Sequence, residues 1–144
     1  MATEQNNVDI ILTMYRYFES GDVARISTEL MHPDIVWRVP GHHPLAGAHT
    51  GPEQVLGFLG RMAGTGIQFT DLHFGQLDDG TVVEKHLGIA KLGEEVVELP
   101  AAVTYGIRDG RIADVRVNSG DQHALDRFVW SAVTLLPVTE RLAA

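Results

Sequence analysis

The sequence predicts an α+β fold in which helices come first and a meander of antiparallel strands follows. Three observations lead to this fold class. The 144 residues are the size of one domain with a substantial core, so we treat 1–144 as a single unit. Apolar side chains recur with helical spacing in the first part of the chain, but they alternate with polar ones from Ile67 onward. Turn dipeptides divide that second part into segments of strand length.

Two helices and a strand are predicted before residue 40. The first helix starts near Val8 and ends at Ser20-Gly21, and Asp22 is suited to cap a second, shorter helix. His32-Pro33 is expected to stop that helix, because the residue before a proline avoids helical backbone angles. A strand over 35–39 follows, since its apolar residues alternate as one face of a sheet requires.

A loop and a third helix come next. Residues 40–49 contain two prolines, two glycines and three histidines, which is typical of a loop. Thr50 and Glu53 match a capping box at the start of the third helix, where the hydroxyl and the carboxylate bind free backbone amides. Gly64 and Gly66 are expected to end this helix with left-handed backbone angles.

The second part of the chain is predicted to form four antiparallel strands. Asp79-Gly80 and Asp109-Gly110 are dipeptides typical of hairpin turns. Alternation slips after Phe69, and Pro100 has no amide donor, so we expect a bulge at each place. Asp121 is suited to cap a last helix. The strands are placed at about 67–77, 81–92, 95–107 and 111–118.

Composition excludes several classes of function. No cysteine is present, which rules out disulfides and thiolate chemistry. Eleven basic against nineteen acidic residues give a net charge of −8, and no basic stripe is available for nucleic acid. No apolar run is long enough for a bilayer, and the first basic residue, Arg16, comes too late for a signal peptide, so we expect a cytoplasmic protein. Neither a His-Glu-x-x-His helix nor a Gly-Lys-Ser/Thr loop occurs, so no metal and no cofactor is expected.

The order of elements and several short segments carry a resemblance to a known superfamily. The segments are His32-Pro33-Asp34 with Trp37–Gly41, Pro44–Gly47 with Gly51, and Arg108–Ile112 with Asp121-Gln122, Asp126 and Phe128. The chain resembles the NTF2-like cone, with three N-terminal helices on a curved, mainly antiparallel sheet and a C-terminal helix. Within this superfamily, which includes polyketide cyclases and ketosteroid isomerases, the chain is similar to the SnoaL-like family. The resemblance implies a cavity inside the cone, and a homodimer for which the convex face bearing Asp114 and Arg116 is one candidate interface.

The catalytic positions of these relatives fall here on residues that cannot transfer a proton. By the resemblance, the isomerase positions correspond to Met14, Val39 and Val103, and the acid/base aspartate of SnoaL-type cyclases corresponds to Val117. Tyr15 lies one residue from the tyrosine position, but that step rotates a helical side chain by about a quarter turn, so we expect a weak substitute. The cavity is therefore predicted to be apolar and its ligand hydrophobic.

Glu84 and His86 are the candidate catalytic pair. They share one face of a predicted strand, and by the resemblance His86 occupies a position that faces the pocket in isomerases. A histidine oriented by a carboxylate is a usable general base near neutral pH, and the alternative is that both side chains face water. Ten further residues are candidates for binding the substrate, with ordinary core packing as the alternative for each. These are Met14, Phe18, Trp37, Val39, His42, Phe58, Met62, Val103, Tyr105 and Val117.

The leading hypothesis is a SnoaL-like cyclase or isomerase that acts on a hydrophobic, polyketide-type small molecule. With few acids or bases, much of the acceleration would come from holding the reacting atoms in position, as in a pericyclic ring closure. Aldol closure with His86 as the base is the variant with acid–base chemistry. Two alternatives stay open: a non-catalytic protein that binds small molecules, and a lyase or dehydratase of a small hydrophobic compound.

Overall fold

Residues 6–133 are described in a computed structural model, and they form four α-helices, one π-helical segment and six strands. The helices are α1 (Val8–Ser20), α2 (Val23–Arg25), which continues as the π-helical segment Ile26–Leu30, α3 (Gly51–Ala63) and α4 (Gln122–Ala132). The strands are β1 (Met31–Val39), β2 (Gly47–Thr50), β3 (Gln68–Gln76), β4 (Val82–Leu92), β5 (Glu95–Arg108) and β6 (Arg111–Ser119).

All six strands belong to one curved, open sheet that the helices cover. The strand order is β2-β1-β6-β5-β4-β3, where β1 and β6 run parallel and the other neighbours run antiparallel. Ile11 of α1, Val55 of α3 and Phe128 of α4 are fully buried in the common core. The predicted α+β fold, with helices on a curved and mainly antiparallel sheet, is confirmed.

The first strand begins earlier than the prediction over 35–39. The helical segment has already ended at Leu30, and β1 starts at Met31 and includes Pro33. The ladder between β1 and β6 is interrupted between Met31 and Val36, so the missing amide of Pro33 removes no ladder hydrogen bond. The proline therefore lies inside the strand and does not mark its beginning.

The predicted loop over 40–49 contains a short strand at its end. This strand, β2, pairs antiparallel with β1, from Val36 opposite Thr50 to Val39 opposite Gly47. A short edge strand of this kind shows no alternation of its own, and β1 supplies its hydrogen-bond partners. The prediction of an unbroken loop was wrong for this reason.

The predicted meander is confirmed, because its four strands match β3 to β6 within one residue at each end. The bulge expected after Phe69 is also confirmed. The register of β3 against β4 shifts between Thr70 and His73, and Asp71 between them has a φ of +54°. A positive φ at a non-glycine residue is typical of such an irregularity.

The bulge predicted at Pro100 is absent. Pro100 lies opposite Leu87 in an unbroken register between β4 and β5. Its carbonyl accepts a hydrogen bond from Gly120, so its nitrogen also points toward β6. Since β6 ends at Ser119, which pairs with Ala101, β6 has no strand residue opposite Pro100 that would need a hydrogen bond from its missing amide.

The third helix starts and ends differently from its prediction. Thr50 is the residue before α3, but its side chain makes no capping hydrogen bond, and the capping box with Glu53 does not form. Instead, the Gln54 side-chain oxygen accepts a hydrogen bond from the Thr50 amide at 2.9 Å. Of the two glycines after the helix, Gly66 has a left-handed φ of +80°, whereas Gly64 stays helical at −64°.

The last helix is capped as predicted, and it also holds the loop before β2. The Asp121 carboxylate accepts a hydrogen bond from an amide of the first turn of α4. Farther along α4, Asp126 accepts a hydrogen bond from the His42 amide at 3.2 Å, and the indole of Trp130 donates to the His42 carbonyl at 2.6 Å. The loop is thus tied to α4 through its backbone.

Candidate functional site

A cavity of about 390 Å³ lies between the sheet and the helices α1, α3 and α4. Its walls come from every helix except α2 and from five of the six strands, because the curved sheet leaves space on its concave side. Nine of the ten predicted substrate-binding residues line it. They are Met14, Phe18, Trp37, Val39, Phe58, Met62, Val103, Tyr105 and Val117.

The tenth candidate, His42, lies elsewhere. It is exposed and is not part of the cavity wall. Its backbone amide and carbonyl are bound by Asp126 and Trp130 of α4, which fixes the loop outside the cavity. The composition of the loop indicated neither this tether nor the direction of the side chain.

The strand register explains why Glu84 and His86 face the cavity. Glu84 lies opposite Val103, whose other neighbour is Val117, and both valines line the cavity. Because side chains alternate along a strand, His86 belongs to the same face as Glu84. Both residues line the cavity, with exposed fractions of 0% for Glu84 and 8% for His86. The structure does not support the alternative that they face water.

The Glu84 carboxylate has three hydrogen-bond partners on buried or half-buried side chains. The hydroxyls of Tyr15 and Tyr105 each donate to Oε1 at 2.8 Å. Oε2 is hydrogen-bonded to Nδ1 of His86. A buried charge is costly unless it is paired and hydrogen-bonded, and these three donors supply that compensation.

The two tyrosines keep their protons in this environment. Burial raises the pKa of Tyr15 far above its usual range, and the negative charge of Glu84 raises it further. Burial likewise raises the pKa of Tyr105, with smaller contributions from Tyr15 and Glu84. Both hydroxyls therefore serve as hydrogen-bond donors to the carboxylate and do not act as acids near neutral pH.

His86 is held so that one ring nitrogen is left for a ligand. Its Nδ1 is engaged by Glu84, and the ring packs edge-on against Phe69 with centroids 4.7 Å apart. When Nδ1 carries the proton, the lone pair of a neutral imidazole is on Nε2. An imidazole in this tautomer accepts a proton at Nε2, and the neighbouring carboxylate stabilises the imidazolium that forms.

The rest of the described cavity wall is almost entirely apolar. Apart from Glu84, His86 and the two tyrosines, the described wall has two further side-chain donors: the hydroxyl of Ser119 and the buried indole Nε1 of Trp37, which has no hydrogen-bond partner within residues 6–133. Neither lysine nor arginine is found among the described lining residues. The wall is thus mainly apolar, as expected, and its one polar cluster contains the predicted pair Glu84 and His86.

Ten of the described lining residues were not among the predicted site residues, and three of these ten have polar or aromatic side chains. Tyr15 was expected to be a weak substitute, but its long side chain reaches from α1 to Glu84. Phe69 and Ser119 also line the cavity. The alternation along β3 and β6 was the available signal for the last two, whereas the rotation of α1 about its axis is decided by packing against the sheet.

No helix within residues 6–133 is long and apolar enough to cross a membrane. Within the same range, no group of three or more histidine, aspartate or glutamate side chains is arranged to hold a metal ion.

Comparison with known proteins identifies the family. Residues 11–115 match the model of the SnoaL-like domain. The uncharacterized protein Rv0034 of Mycobacterium tuberculosis is 26% identical over 129 residues, which are 88% of this chain and 98% of that protein. Among solved structures, Bal32a from a soil-derived mobile gene cassette is 30% identical, with a TM-score of 0.77 over 86% of this chain and 96% of that chain. An NTF2-like protein from Burkholderia xenovorans shares the fold at 18% identity, with a TM-score of 0.71 over 92% of this chain and 100% of that chain. The chain therefore belongs to the SnoaL-like family and has the NTF2-like fold.

Proposed function

We propose that this protein is an enzyme that cyclises or isomerises a hydrophobic, polyketide-type small molecule without a cofactor. The observation that carries the proposal is the position of His86 on an apolar cavity wall, with Nδ1 bound to the buried carboxylate of Glu84. A carboxylate-oriented imidazole is a general base, and an enclosed apolar cavity binds and orients a hydrophobic substrate.

In an aldol ring closure, Nε2 of His86 removes a proton from the carbon next to a substrate carbonyl. The resulting enolate carbon forms a bond to a second carbonyl carbon of the same molecule, and the electrons of that C=O bond move to its oxygen. The imidazolium then returns the proton to this alkoxide. Glu84 stabilises the imidazolium through Nδ1, while the hydroxyls of Tyr15 and Tyr105 hold the carboxylate in place. An isomerisation uses the same base, but the proton returns to a different carbon.

The aromatic side chains of the cavity wall are suited to hold the reacting atoms of the substrate in position. Trp37 packs against Phe58 and Tyr105 with ring centroids about 6 Å apart. Rigid rings of this kind restrict a flexible substrate to few conformations, and such restriction is worth several kcal/mol of a barrier. The polar cluster favours acid–base closure over a purely pericyclic one, since a pericyclic reaction needs no base.

Two alternatives act through the same cavity. A lyase or dehydratase would use His86 to remove a proton and then protonate a departing hydroxide. A non-catalytic binding protein would use only the apolar walls, and the small number of ionisable groups favours this candidate.

The test is incubation with linear polyketones, followed by mass spectrometry and NMR. We expect a product of unchanged mass with a new ring or a shifted double bond, and loss of turnover in His86→Ala with the fold intact. A product lighter by one water identifies the lyase, and compounds that bind and return unchanged identify the binding protein. A probe that reports the base alone is 2-tetralone, whose α-protons exchange with D₂O. After subtraction of the uncatalysed rate, we expect exchange in His86→Ala to be at least ~100-fold slower than in the wild-type protein.

We also propose that the protein acts as a homodimer in the cytoplasm. The candidate interface is the convex face of the sheet, where Asp114 and Arg116 are exposed and Asp114 forms an ion pair with Arg38. Light scattering coupled to size exclusion measures the mass directly, and a variant with Arg116→Glu should shift it toward the monomer.

A further inference from the structure

Ser119 lies in the same cross-strand row as His86, at the other end of the cavity wall. His86 pairs with Ala101 on β5, and Ala101 pairs with Ser119 on β6. The pairing of β5 with β6 is regular at this point, since its register shifts only between Gly106 and Ile107. Two strand spacings of ~4.8 Å separate the Cα atoms of His86 and Ser119 by about 10 Å.

The hydroxyl of Ser119 has an unused hydrogen-bond donor. Its Oγ accepts a hydrogen bond from the Asp121 amide at 3.3 Å, which orients the side chain at the start of α4. The O–H group has no acceptor within residues 6–133, although Ser119 lines the cavity and is half-buried. Ala101 between the two polar residues has only a methyl group, so a ligand can lie across it.

The next row inward is apolar at every position except Glu84. It includes Val117, Val103 and Glu84, and the Glu84 carboxylate already has three hydrogen-bond partners. A bound molecule thus meets two polar atoms along the outer row and mainly apolar surface elsewhere, where the unpartnered Nε1 of Trp37 is a further donor in the described wall. The absence of lysine and arginine from the described wall gives no partner for a ligand's negative charge.

We propose that Ser119 is a second substrate anchor that donates a hydrogen bond to one ligand oxygen while a second oxygen faces Nε2 of His86. Side chains of one cross-strand row stand roughly perpendicular to the sheet, so the Cα spacing of about 10 Å also approximates the span between the two polar groups. A hydrogen bond of ~2.8 Å at each end then leaves about 4–5 Å between the two ligand oxygens. This is the spacing of oxygens placed 1,3 on a six-membered ring. The ligand class is an uncharged, 1,3-dioxygenated ring whose apolar substituent points inward. The role of His86 in this inference rests on the proposed function.

Two probes that differ by one hydroxyl test the anchor. They are 5-pentylresorcinol, which has two oxygens in the 1,3 arrangement, and 3-pentylphenol, which has one. By calorimetry we expect the wild-type protein to bind the resorcinol about three- to tenfold more tightly, the gain typical of one net hydrogen bond. In Ser119→Ala this preference disappears because the resorcinol binds more weakly, while the affinity of the phenol is unchanged.

Matched variants separate anchoring from a structural effect. Ser119→Thr keeps the hydroxyl and should restore the preference. Asn118→Ala changes the adjacent residue, which is exposed and lies outside this cavity, and should leave both affinities unchanged. A Ser119→Ala variant that weakens both probes equally, or neither, overturns the anchor. Failure of both probes to bind the wild-type protein at millimolar concentration overturns the ligand class.

The proposed function fails by a different result. Exchange of the α-protons of 2-tetralone reports the base, so we expect His86→Ala to abolish it and Asn118→Ala, which lies outside the cavity, to leave the rate within about twofold of wild type. If His86→Ala does not change the exchange rate while the preference for the resorcinol is intact, the role of His86 as a base is contradicted and the role of Ser119 stands. If the wild-type protein catalyses exchange but shows no preference that depends on Ser119, the role of Ser119 is contradicted and the role of His86 stands.

Discussion

Replacing Glu84 with glutamine removes the negative charge beside His86 while nearly conserving the shape of the side chain. The carboxylate is completely buried and holds Nδ1 of His86, so the charge acts on the ring at hydrogen-bond distance and without screening by water. Charge-assisted hydrogen bonds are about twice as strong as neutral ones, and the loss of the carboxylate in a histidine-based triad is far more costly. We expect Glu84→Gln to slow base-catalysed exchange by about 10²–10³-fold, or ~3–4 kcal/mol in the barrier.

The assay is the exchange of the α-protons of 2-tetralone with D₂O, followed by NMR. Glu98→Gln is the matched control, because it makes the same chemical change at an exposed position on the neighbouring strand β5. We expect its rate to stay within about twofold of wild type, as is usual for surface substitutions. A Glu84→Gln variant that remains folded and loses less than fivefold of the rate would refute the role of the carboxylate.

Three further predictions concern the tyrosines, the charge of the ligand and the loop before β2. Folding raises the pKa values of Tyr15 and Tyr105. Their contribution to the free energy of unfolding is therefore complete below their pKa in the unfolded chain, which is about 10. Above that pH the free energy of unfolding falls by about 1.4 kcal/mol per pH unit for each tyrosine. Urea unfolding between pH 9 and 11 measures this slope, and a Tyr15→Phe variant with the same slope as wild type would contradict it. Because the described cavity wall has no lysine or arginine, 2,4-dihydroxy-6-pentylbenzoate should bind at least ~10-fold more weakly than 5-pentylresorcinol by calorimetry, and equal affinities would count against an uncharged ligand. Gly41→Ala would place a Cβ 2.2–2.3 Å from side chains of α4, whereas Gly47→Ala, at the same φ of +109°, meets nothing within 4 Å. The atoms met are the ends of the Gln122 and Asp126 side chains, which can move aside only by giving up their hydrogen bonds to Pro40 and His42. Thermal unfolding should therefore show a loss for Gly41→Ala that exceeds the loss for Gly47→Ala by about 1–3 kcal/mol, and equal losses would argue against these hydrogen bonds holding the loop on α4.

The parts of the fold that depend on local pattern were predictable from the sequence. The meander follows from side-chain alternation and from turn dipeptides such as Asp109-Gly110, where both residues have a positive φ. The shared face of Glu84 and His86 follows from the same alternation. The cap at Asp121 is likewise local, since its carboxylate binds an amide three residues later.

The parts that depend on contacts between distant segments could not be predicted in this way. Pro33 lies inside β1 because the ladder to β6 is interrupted there, and no local pattern shows such an interruption. Tyr15 and Glu84 are 69 positions apart, and their hydrogen bond depends on how α1 packs against the sheet. His42 is similar, since its backbone is held by side chains of α4 more than 80 positions away. Period and propensity identify elements, but the relative placement of elements decides which side chains meet.

Nitrogen NMR of the His86 ring, with the ligand-free protein labelled at histidine, tests the central claim most directly. Where the ring is neutral, we predict a proton on Nδ1, bound to Glu84, and a lone pair on Nε2 that faces the cavity. The assignment is made by loss of this signal in His86→Ala. A proton found on Nε2, with Nδ1 unprotonated, would contradict the claim, because His86 would then have no basic nitrogen to offer a substrate.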